Sequence, residues 1–239
     1  MFQIDLKQDV ENQASLTHAG SDELYSVGGA DLFEQKVALW QRENTGLSRR
    51  IRICVGDTEE LRVLLALIRT IKADEGDYYR LISSRGDRRD GGFYRSVRNA
   101  FIPISIRNEA ATLRAFMLLC QTMLALYLTT LAEDLHELRP ENIDNLPLYS
   151  NRRNALIHIR GEKEVLTHYL TYCQCGLSLL SIPEEAEQEY QSTLKAIGQQ
   201  QSPLIYQYCK SIVTTVRNQE YQRTGRIARD LDLTRPTVV

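Results

Sequence analysis

The chain has 239 residues, 43% of them hydrophobic, which is enough to bury the core of one large domain or two small ones. Its charges nearly cancel at −2, and this balance excludes a general attraction to nucleic acid or to anionic lipid. Five cysteines, an odd number, and the lack of a hydrophobic secretory segment at the start predict a soluble intracellular protein with reduced thiols, in the cytosol, nucleus or plastid stroma.

Two short stretches near the N-terminus alternate apolar and polar residues, which is the pattern of half-buried β-strands. They cover residues 2–6 and 51–55, and both are short enough to pair antiparallel as a small ribbon. Between them, Asp31 predicts the start of a short helix that ends near Gly46.

The next helix and loop are marked by capping and glycine signals. Asp57 and the carboxylates that follow it predict a helix start, and leucines and isoleucines in steps of three and four carry this helix to about Ala73. The stretch from Ser83 to Gly92 is polar and rich in glycine, which predicts a surface loop.

This loop places arginines beside aromatic residues. Such a combination can contact a protein partner or a nucleic-acid strand, so we expect partner contacts at Arg88, Arg89, Phe93 and Tyr94. Nearby aspartates offset about half of the positive charge, and the alternative is a plain solvated loop.

A long uncharged stretch forms the centre of the predicted fold. It runs from Arg107 to Leu138, and no charged residue lies between Arg114 and Glu133. Apolar residues occupy every face of its middle turns, which predicts one continuous helix enclosed by other elements. The alternative is a membrane span, but polar residues interrupt the stretch and no basic cluster flanks it, so a core helix is favoured.

Three further helices are predicted in the C-terminal half. Ser150 caps a long helix, Asn151–Leu180, in which Gly161 predicts a tight contact or a kink. Pro183 then occupies the first turn of a helix that Gly198 ends, and a last helix over residues 202–218 precedes a polar tail. The sequence thus predicts a mainly α fold: a multi-helix lobe around two long antiparallel helices with a small two-stranded ribbon. This domain covers residues 1–216, followed by a tail, 217–239.

Short motifs give no catalytic, cofactor-binding or metal-binding residue. His158 and Glu162 share a helix face, but nothing nearby completes a zinc site, and surface positions are favoured. Cys173 and Cys175 lack the two-residue spacer of redox motifs, so one core thiol and one surface thiol are expected. The tripeptide Arg85-Gly86-Asp87 matches a known adhesion motif, and this match is interpreted as a coincidence. No phosphate-binding glycine pattern or nucleophile elbow occurs.

Several stretches nevertheless resemble a known family when taken in order. In the first, a Pro-x-Ser-x-x-Asn-Glu turn opens the long helix, and a Thr-Thr-x-x-Glu-Asp sequence lies near its end; the second contains Gly-Glu-Lys. The matching residues are Pro103, Ser105, Asn108, Glu109, Thr129, Thr130, Glu133, Asp134, Gly161, Glu162 and Lys163. Over residues 2–180 the chain resembles the C-terminal substrate-binding domain of SET-domain protein methyltransferases of the Rubisco large-subunit lysine methyltransferase type, a class that includes the actin-histidine methyltransferase.

The resemblance implies a domain that binds a protein substrate and contacts a SET domain. In the family the SET domain precedes this lobe, binds S-adenosylmethionine and carries an Asn-His pair and a late Tyr-Gly; this chain has neither dipeptide and starts where that domain would end. The shared residues are therefore expected to be structural. If a SET domain is absent, the face that it would cover, near the strands at residues 2–6 and 51–55, is expected to be exposed. Self-association or partner binding is predicted there, because an open strand edge is prone to pairing. The leading interpretation is a recognition lobe that is not catalytic by itself, with S-adenosylmethionine bound only if a SET domain is supplied elsewhere. The alternatives are a part of an active methyltransferase whose SET domain lies upstream or on another chain, and an unrelated helical scaffold.

Overall fold

The fold is mainly α-helical in the part of the chain that the computed structural model describes, which is residues 2–5, 35–36, 50–56, 58–83, 103–139, 142, 147, 150–183 and 185–220. The chain divides into two compact units. Unit 1 comprises Met1–Leu64 and Ala115–Thr171, and unit 2 comprises Leu65–Arg114 and Tyr172–Val239.

Two short strands lie at the alternating stretches of the sequence. Strand β1 (Phe2–Asp5) pairs antiparallel with β2 (Arg50–Ile53), so that Phe2 lies opposite Ile53 and Asp5 opposite Arg50. The turn after β2 contains Gly56, whose φ of 98° is a conformation that residues with a side chain rarely adopt. Of the helix predicted from Asp31, only residues 35–36 are described, and they are helical.

Helices α1 (Thr58–Lys72) and α2 (Glu75–Ser83) follow. The first matches the predicted helix closely, because leucines and isoleucines at helical spacing bury one side of it. Asp74 separates the two helices: its carboxylate accepts a hydrogen bond from the backbone N–H of Asp77 at 2.8 Å, as an N-cap residue does. The predicted loop, Ser83–Gly92, lies outside the described residues except for Ser83.

The prediction of one continuous helix from Arg107 to Leu138 is wrong. Helix α3 covers Ile106–Ala125, and a shorter helix, α4, covers Leu131–Glu137. The chain breaks because Thr130 takes an extended conformation (φ −83°, ψ 162°) and caps α4 with its side chain. As an N-cap, the threonine side chain bonds to the backbone N–H groups of the helix that follows it. This arrangement competes with continuation of the helix that precedes it.

The prediction that the uncharged stretch is fully enclosed is also wrong. Leu118 is 57% exposed and Leu126 is 71% exposed, while Leu128 is fully exposed. Phe116, Leu119 and Cys120 are buried, so the apolar residues divide between a core side and an outer side.

The long helix α5 (Asn151–Leu180) agrees with its prediction. Ser150 caps it, since the backbone N–H of Arg153 donates to Ser150 Oγ at 3.2 Å. Within unit 1, α5 runs antiparallel to α3: the rings of Phe116 and Tyr169 are 5.6 Å apart, and Tyr127 bonds Glu162 further along.

The expected tight contact at Gly161 is not present. A Cβ atom built there would meet nothing within 4 Å, and the helix is unbroken through this residue. The close approach occurs instead at Gly176 in unit 2, where an added Cβ would lie 2.7 Å from Leu113 Cδ1.

The remaining helices belong to unit 2. Helix α6 covers Glu187–Gln200, so Pro183 precedes it rather than occupying its first turn, and Gly198 lies inside it. The glycine is needed for packing, because an added Cβ would approach the Tyr206 ring to 2.9 Å. Helix α7 (Pro203–Tyr208), capped by Ser202, leads into a π-helical turn, Cys209–Val213, and the chain stays helical over 214–220. The tail was predicted to begin at residue 217, but residues 217–220 are helical, and the buried Arg217 guanidinium donates to the Ile182 carbonyl at 2.5 Å. The rest of the predicted tail, beyond residue 220, lies outside the described residues.

Each unit has its own buried apolar side chains. In unit 1 they come from α1, α3 and α5, and the Tyr169 hydroxyl donates to the backbone oxygen of Cys54 at 3.0 Å. In unit 2 the rings of Tyr172 and Tyr208 stack at 4.0 Å, next to Cys173 and Cys209.

Candidate protein-binding surface

The first group of motif residues forms a buried ion pair in unit 2. The Arg69 guanidinium donates to both carboxylate oxygens of Glu109, at 2.5 and 2.8 Å, and the Tyr208 hydroxyl donates to the same carboxylate at 2.7 Å. Neither charged side chain is accessible to solvent. Burial lowers the pKa of Arg69, but the adjacent Glu109 carboxylate raises it by more, so the net shift is upward.

The turn that opens α3 joins the same network, which we call the Glu109 cluster (Arg69, Asp77, Ser105, Asn108, Glu109 and Tyr208). Ser105 Oγ donates to Asp77 Oδ2 at 2.7 Å and accepts from the backbone N–H of Asn108 at 3.0 Å. The Asn108 side chain donates to the Arg69 carbonyl at 3.0 Å. The motif residues Ser105, Asn108 and Glu109 therefore tie the start of α3 to α1 and α2.

A second buried ion pair lies in unit 1. Lys163 Nζ donates to Asp134 Oδ2 at 2.5 Å, to the Thr129 carbonyl at 2.6 Å and to Thr129 Oγ1 at 2.8 Å. Three donors are all that an ammonium group has, and each is used. The Lys163 and Asp134 side chains are 1% and 2% exposed, so neither is available to a ligand.

Thr130 and Glu133 complete this arrangement, which we call the Lys163 cluster (Thr129, Thr130, Glu133, Asp134 and Lys163). The Thr130 backbone N–H donates to Glu133 Oε2 at 2.6 Å, and the Glu133 N–H donates to Thr130 Oγ1 at 3.2 Å, which is a reciprocal capping box. The Thr130 hydroxyl also donates to Glu133 Oε2 at 2.9 Å. The hydrogen bonds that the Thr130 backbone N–H and hydroxyl donate to this carboxylate lower the pKa of Glu133. The motif thus fixes the break between α3 and α4.

Glu162 of the Gly-Glu-Lys motif accepts a hydrogen bond from the connector between α3 and α4. Tyr127 Oη donates to Glu162 Oε2 at 2.7 Å, and His158 Nδ1 lies 3.5 Å from Glu162 Oε1. Burial, followed by the bond to Glu162, raises the pKa of Tyr127. The described ranges contain no group of three potential metal ligands, and the His158 side chain is mostly exposed, as expected of a surface residue.

The prediction for the cysteines can be compared with the structure, whereas the predicted contact loop lies outside the described residues. All five cysteines are free thiols; Cys173 is buried and Cys175 is partly exposed, which agrees with the interpretation of this pair. The predicted contact residues Arg88, Arg89, Phe93 and Tyr94 lie outside the described residues, as does Arg85–Asp87.

An open groove of about 640 Å³ lies in unit 2 beside the first turns of α2 and α3. Four of its eight lining residues carry a carboxylate, and the side chains of Arg107 and Asp74 approach each other to 3.7 Å at its rim. Ser105 and Asp77 of the Glu109 cluster also line it. The lining residues are Asp74, Glu75, Gly76, Asp77, Ser105, Ile106, Arg107 and Glu220.

A charge-free apolar surface in unit 1 is the feature that the sequence did not predict. The exposed side of α3 and the connector to α4 together present six residues, which we call the leucine surface: Leu118, Gln121, Thr122, Ala125, Leu126 and Leu128. The four on α3 follow helical spacing, so they lie on one face. Contiguous exposed apolar residues of this kind are typical of sites where proteins bind each other.

Sequence reasoning missed the partners of the motif residues as well as this surface. Arg69 interrupts the apolar run of α1, and a lone charge in such a run is a signal of a buried ion pair. No such signal marked the leucine surface, because an uncharged run has the same sequence pattern whether its residues are buried or exposed.

These features define a class of mainly helical domain in which motif residues form two buried ion-pair clusters and apolar residues remain on one exposed face. A comparison with protein families matches residues 28–166, more than half of the chain, to the family described as Rubisco LSMT substrate-binding. The chain belongs to that family, whose domain is associated with SET-domain protein methyltransferases. The matched range contains every motif residue of both clusters.

Comparisons with curated proteins and with solved structures gave no match. None of the described helices is both long and apolar enough to cross a membrane.

Proposed function

We propose that this chain is the protein-substrate recognition lobe of a SET-type protein-lysine or protein-histidine methyltransferase, and that it does not catalyse methyl transfer by itself. One observation supports the proposal: the family motif residues that could do chemistry are used in internal bonds. The side chains of Glu109, Asp134 and Lys163 are each at most 2% exposed and each is paired.

Side chains that are buried and paired in this way cannot act on a substrate directly. A general acid or base has to reach the proton that it transfers, within about 3 Å or through one water. The Glu109 carboxylate is surrounded by Arg69 and Tyr208, and the Lys163 ammonium has no donor left. We infer that these clusters hold α1, α3, α4 and α5 in place and that the role of the domain is binding.

The partners follow from this role. The lobe would bind a protein substrate or a SET-domain polypeptide, with the loop residues Arg88, Arg89, Phe93 and Tyr94 contributing contacts. S-adenosylmethionine would enter only with a SET domain supplied upstream or by another chain. We expect neither nucleic acid nor membrane as a partner.

The second candidate function is part of an active methyltransferase whose SET domain lies upstream or on another chain. The association of this family with SET-domain enzymes favours it. Both candidates share the recognition role and differ in whether activity appears when a SET domain is added. The unrelated scaffold has no support from the family match.

Titration calorimetry with S-adenosylmethionine, followed by a methyl-transfer assay on the purified chain, tests the non-catalytic role. We expect no heat of binding and no product. Saturable binding of S-adenosylmethionine to this chain, or methyl transfer by it, would overturn the proposal.

The recognition role needs a separate measurement. A purified family SET domain is titrated with the wild-type chain and with a variant carrying Arg88→Ala, Arg89→Ala and Phe93→Ala. We expect binding by the wild type and a loss of roughly tenfold or more in the variant, as for truncated contact residues. The matched control replaces Arg114 and Arg139, two exposed arginines, with alanine and should bind as the wild type does. Equal affinity of the wild type, the loop variant and the control variant would show that the loop does not contribute to binding of the SET domain.

A further inference from the structure

The open groove of unit 2 carries a surplus of negative charge. Four of its described lining residues have a carboxylate, and Arg107 is the one basic residue among them. The first turns of α2 and α3 lie beside the groove, and each helix N-terminus contributes about half a positive charge, which offsets about one carboxylate. The groove therefore stays acidic and suits a positively charged occupant.

Two of these carboxylates are accessible to an occupant. Asp77 is buried and accepts from Ser105 Oγ, so it belongs to the Glu109 cluster. Glu75, in contrast, is exposed, and the Asp74 side chain is 48% exposed. An occupant can therefore contact Asp74 and Glu75 while the Glu109 cluster stays intact.

The chain itself continues from this groove into a basic segment. Glu220, which lines the groove, is the last residue that the structure describes, and residues 221–229 follow it directly. These nine residues contain Arg223, Arg226 and Arg229 and no acidic residue. Nine residues span up to about 30 Å when extended, which is ample to cross the groove.

We propose that residues 221–229, which we call the arginine segment, bind in this groove and pair their guanidinium groups with its carboxylates. A guanidinium forms two parallel hydrogen bonds with a carboxylate, which favours arginine in this role. The segment is joined to the groove at Glu220, so its binding is intramolecular, and pairs that are weak individually suffice to hold it. A basic segment of another protein has to displace the arginine segment before it can bind in the groove.

This inference is independent of the proposed recognition role. It concerns a groove and a segment within unit 2, whereas the recognition role concerns SET-domain binding and the loop near Arg88. Each can be true without the other.

Limited digestion of the full chain with trypsin tests the inference, because trypsin cleaves after arginine only where the segment is released from the groove. Glu75→Gln combined with Glu220→Gln removes two carboxylates from the groove and should speed cleavage after Arg226 by roughly threefold or more. The matched control combines Glu187→Gln with Glu189→Gln, two exposed positions in the first turn of α6. It should be cleaved at the wild-type rate, as measured by peptide mass spectrometry.

Salt distinguishes ion pairing from a general loosening of the fold. About 1 M NaCl shortens the screening length to about 3 Å, so it should speed cleavage of the wild type and remove most of the difference from the groove variant. Helical content measured by circular dichroism should be equal in all variants.

A synthetic peptide with the sequence of residues 221–229 identifies the occupant. It should bind the full-length variant Arg223→Ala, Arg226→Ala and Arg229→Ala roughly tenfold or more tightly than the wild type, whose groove is already filled. Equal affinity for both chains would show that the groove is open to basic segments of other proteins, and binding to neither would show that it holds none. Equal cleavage of the wild type and the groove variant, or cleavage that salt does not change, would also overturn the inference.

Discussion

Two glycines of the same helix illustrate how surroundings decide what a residue contributes. Gly161 has open space where a Cβ would lie, whereas a Cβ on Gly176 would lie 2.7 Å from Leu113 Cδ1 and 3.1 Å from Tyr208 Cε1. We expect Gly161→Ala to raise the free energy of unfolding by about 1 kcal/mol, because alanine favours a helix. Gly176→Ala should lower it by about 1–3 kcal/mol through overpacking.

Urea denaturation of the two variants checks this prediction, and each serves as the control for the other because the chemical change is the same. Shifts in the same direction would contradict the packing described at Gly176.

Glu109 provides a second prediction at the level of single residues. Glu109→Ala leaves the buried guanidinium of Arg69 without its partner, and we expect the free energy of unfolding to fall by about 3–5 kcal/mol. Glu189→Ala, at an exposed position of α6, should change it by less than about 0.5 kcal/mol. Equilibrium unfolding in urea measures both.

A double variant shows whether the charge or the volume matters. Arg69→Met combined with Glu109→Leu removes both charges and keeps the site filled, so it should recover most of the stability that Glu109→Ala loses. A double variant as unstable as Glu109→Ala would mean that lost packing, rather than an unpaired charge, explains the effect.

The role of these residues was predictable from the sequence, but their partners were not. The motif residues were expected to be structural, and the described contacts of Ser105, Asn108 and Lys163 are internal hydrogen bonds. Their partners are distant in sequence: Glu109 and Tyr208 are 99 residues apart. Local spacing contains no information about such pairs.

The break between α3 and α4 shows how two local signals compete. Apolar residues at helical spacing continue through Leu124, Tyr127 and Leu131, which predicted one helix, and Thr130 with Glu133 spells a capping box, which marks a start. The capping box determined the structure because Lys163 also holds the Thr129 carbonyl, and that contact is not visible in the sequence.

The capping box allows a prediction for the stability of α4. Thr130→Ala should lower the free energy of unfolding by about 1 kcal/mol, whereas Thr130→Ser keeps the hydroxyl and should lose much less. The control is Thr167→Ala, in the middle of α5, which should be neutral or slightly stabilising. Chemical denaturation compares the three, and equal losses for Thr130→Ala and Thr130→Ser would show that the hydroxyl does not matter.

For the whole molecule, the mainly α class and the family could be predicted, because helical periodicity and short motifs are local. The division into two compact units could not, since its boundaries fall inside α1, α3 and α5. No change of composition marks those places.

The pH dependence of stability is a prediction at the scale of the whole molecule. Burial lowers the pKa of His168 below its usual value near 6.5, and His168 Nε2 is buried without a hydrogen-bond partner among the described residues. Below pH 6.5 the unfolded chain therefore binds a proton more readily than the folded chain does. Stability falls as the pH drops from about 6.5 through the folded pKa of His168, and it recovers as the pH rises.

Thermal unfolding at a series of pH values tests this dependence. His168→Gln should flatten the profile below pH 6.5, whereas His158→Gln, at a mostly exposed position, should keep the wild-type slope. An unchanged slope in His168→Gln would show that another group titrates.

The complete enclosure of Lys163 has a practical consequence. Its amine is 1% exposed and fully bonded, so an acylating reagent such as acetic anhydride cannot reach it while unit 1 is intact. The exposed Lys195 should react at once, and peptide mass spectrometry distinguishes the two sites. The rate at which Lys163 becomes labelled would then measure how often this end of α5 opens, and a partner that clamps the connector should slow it.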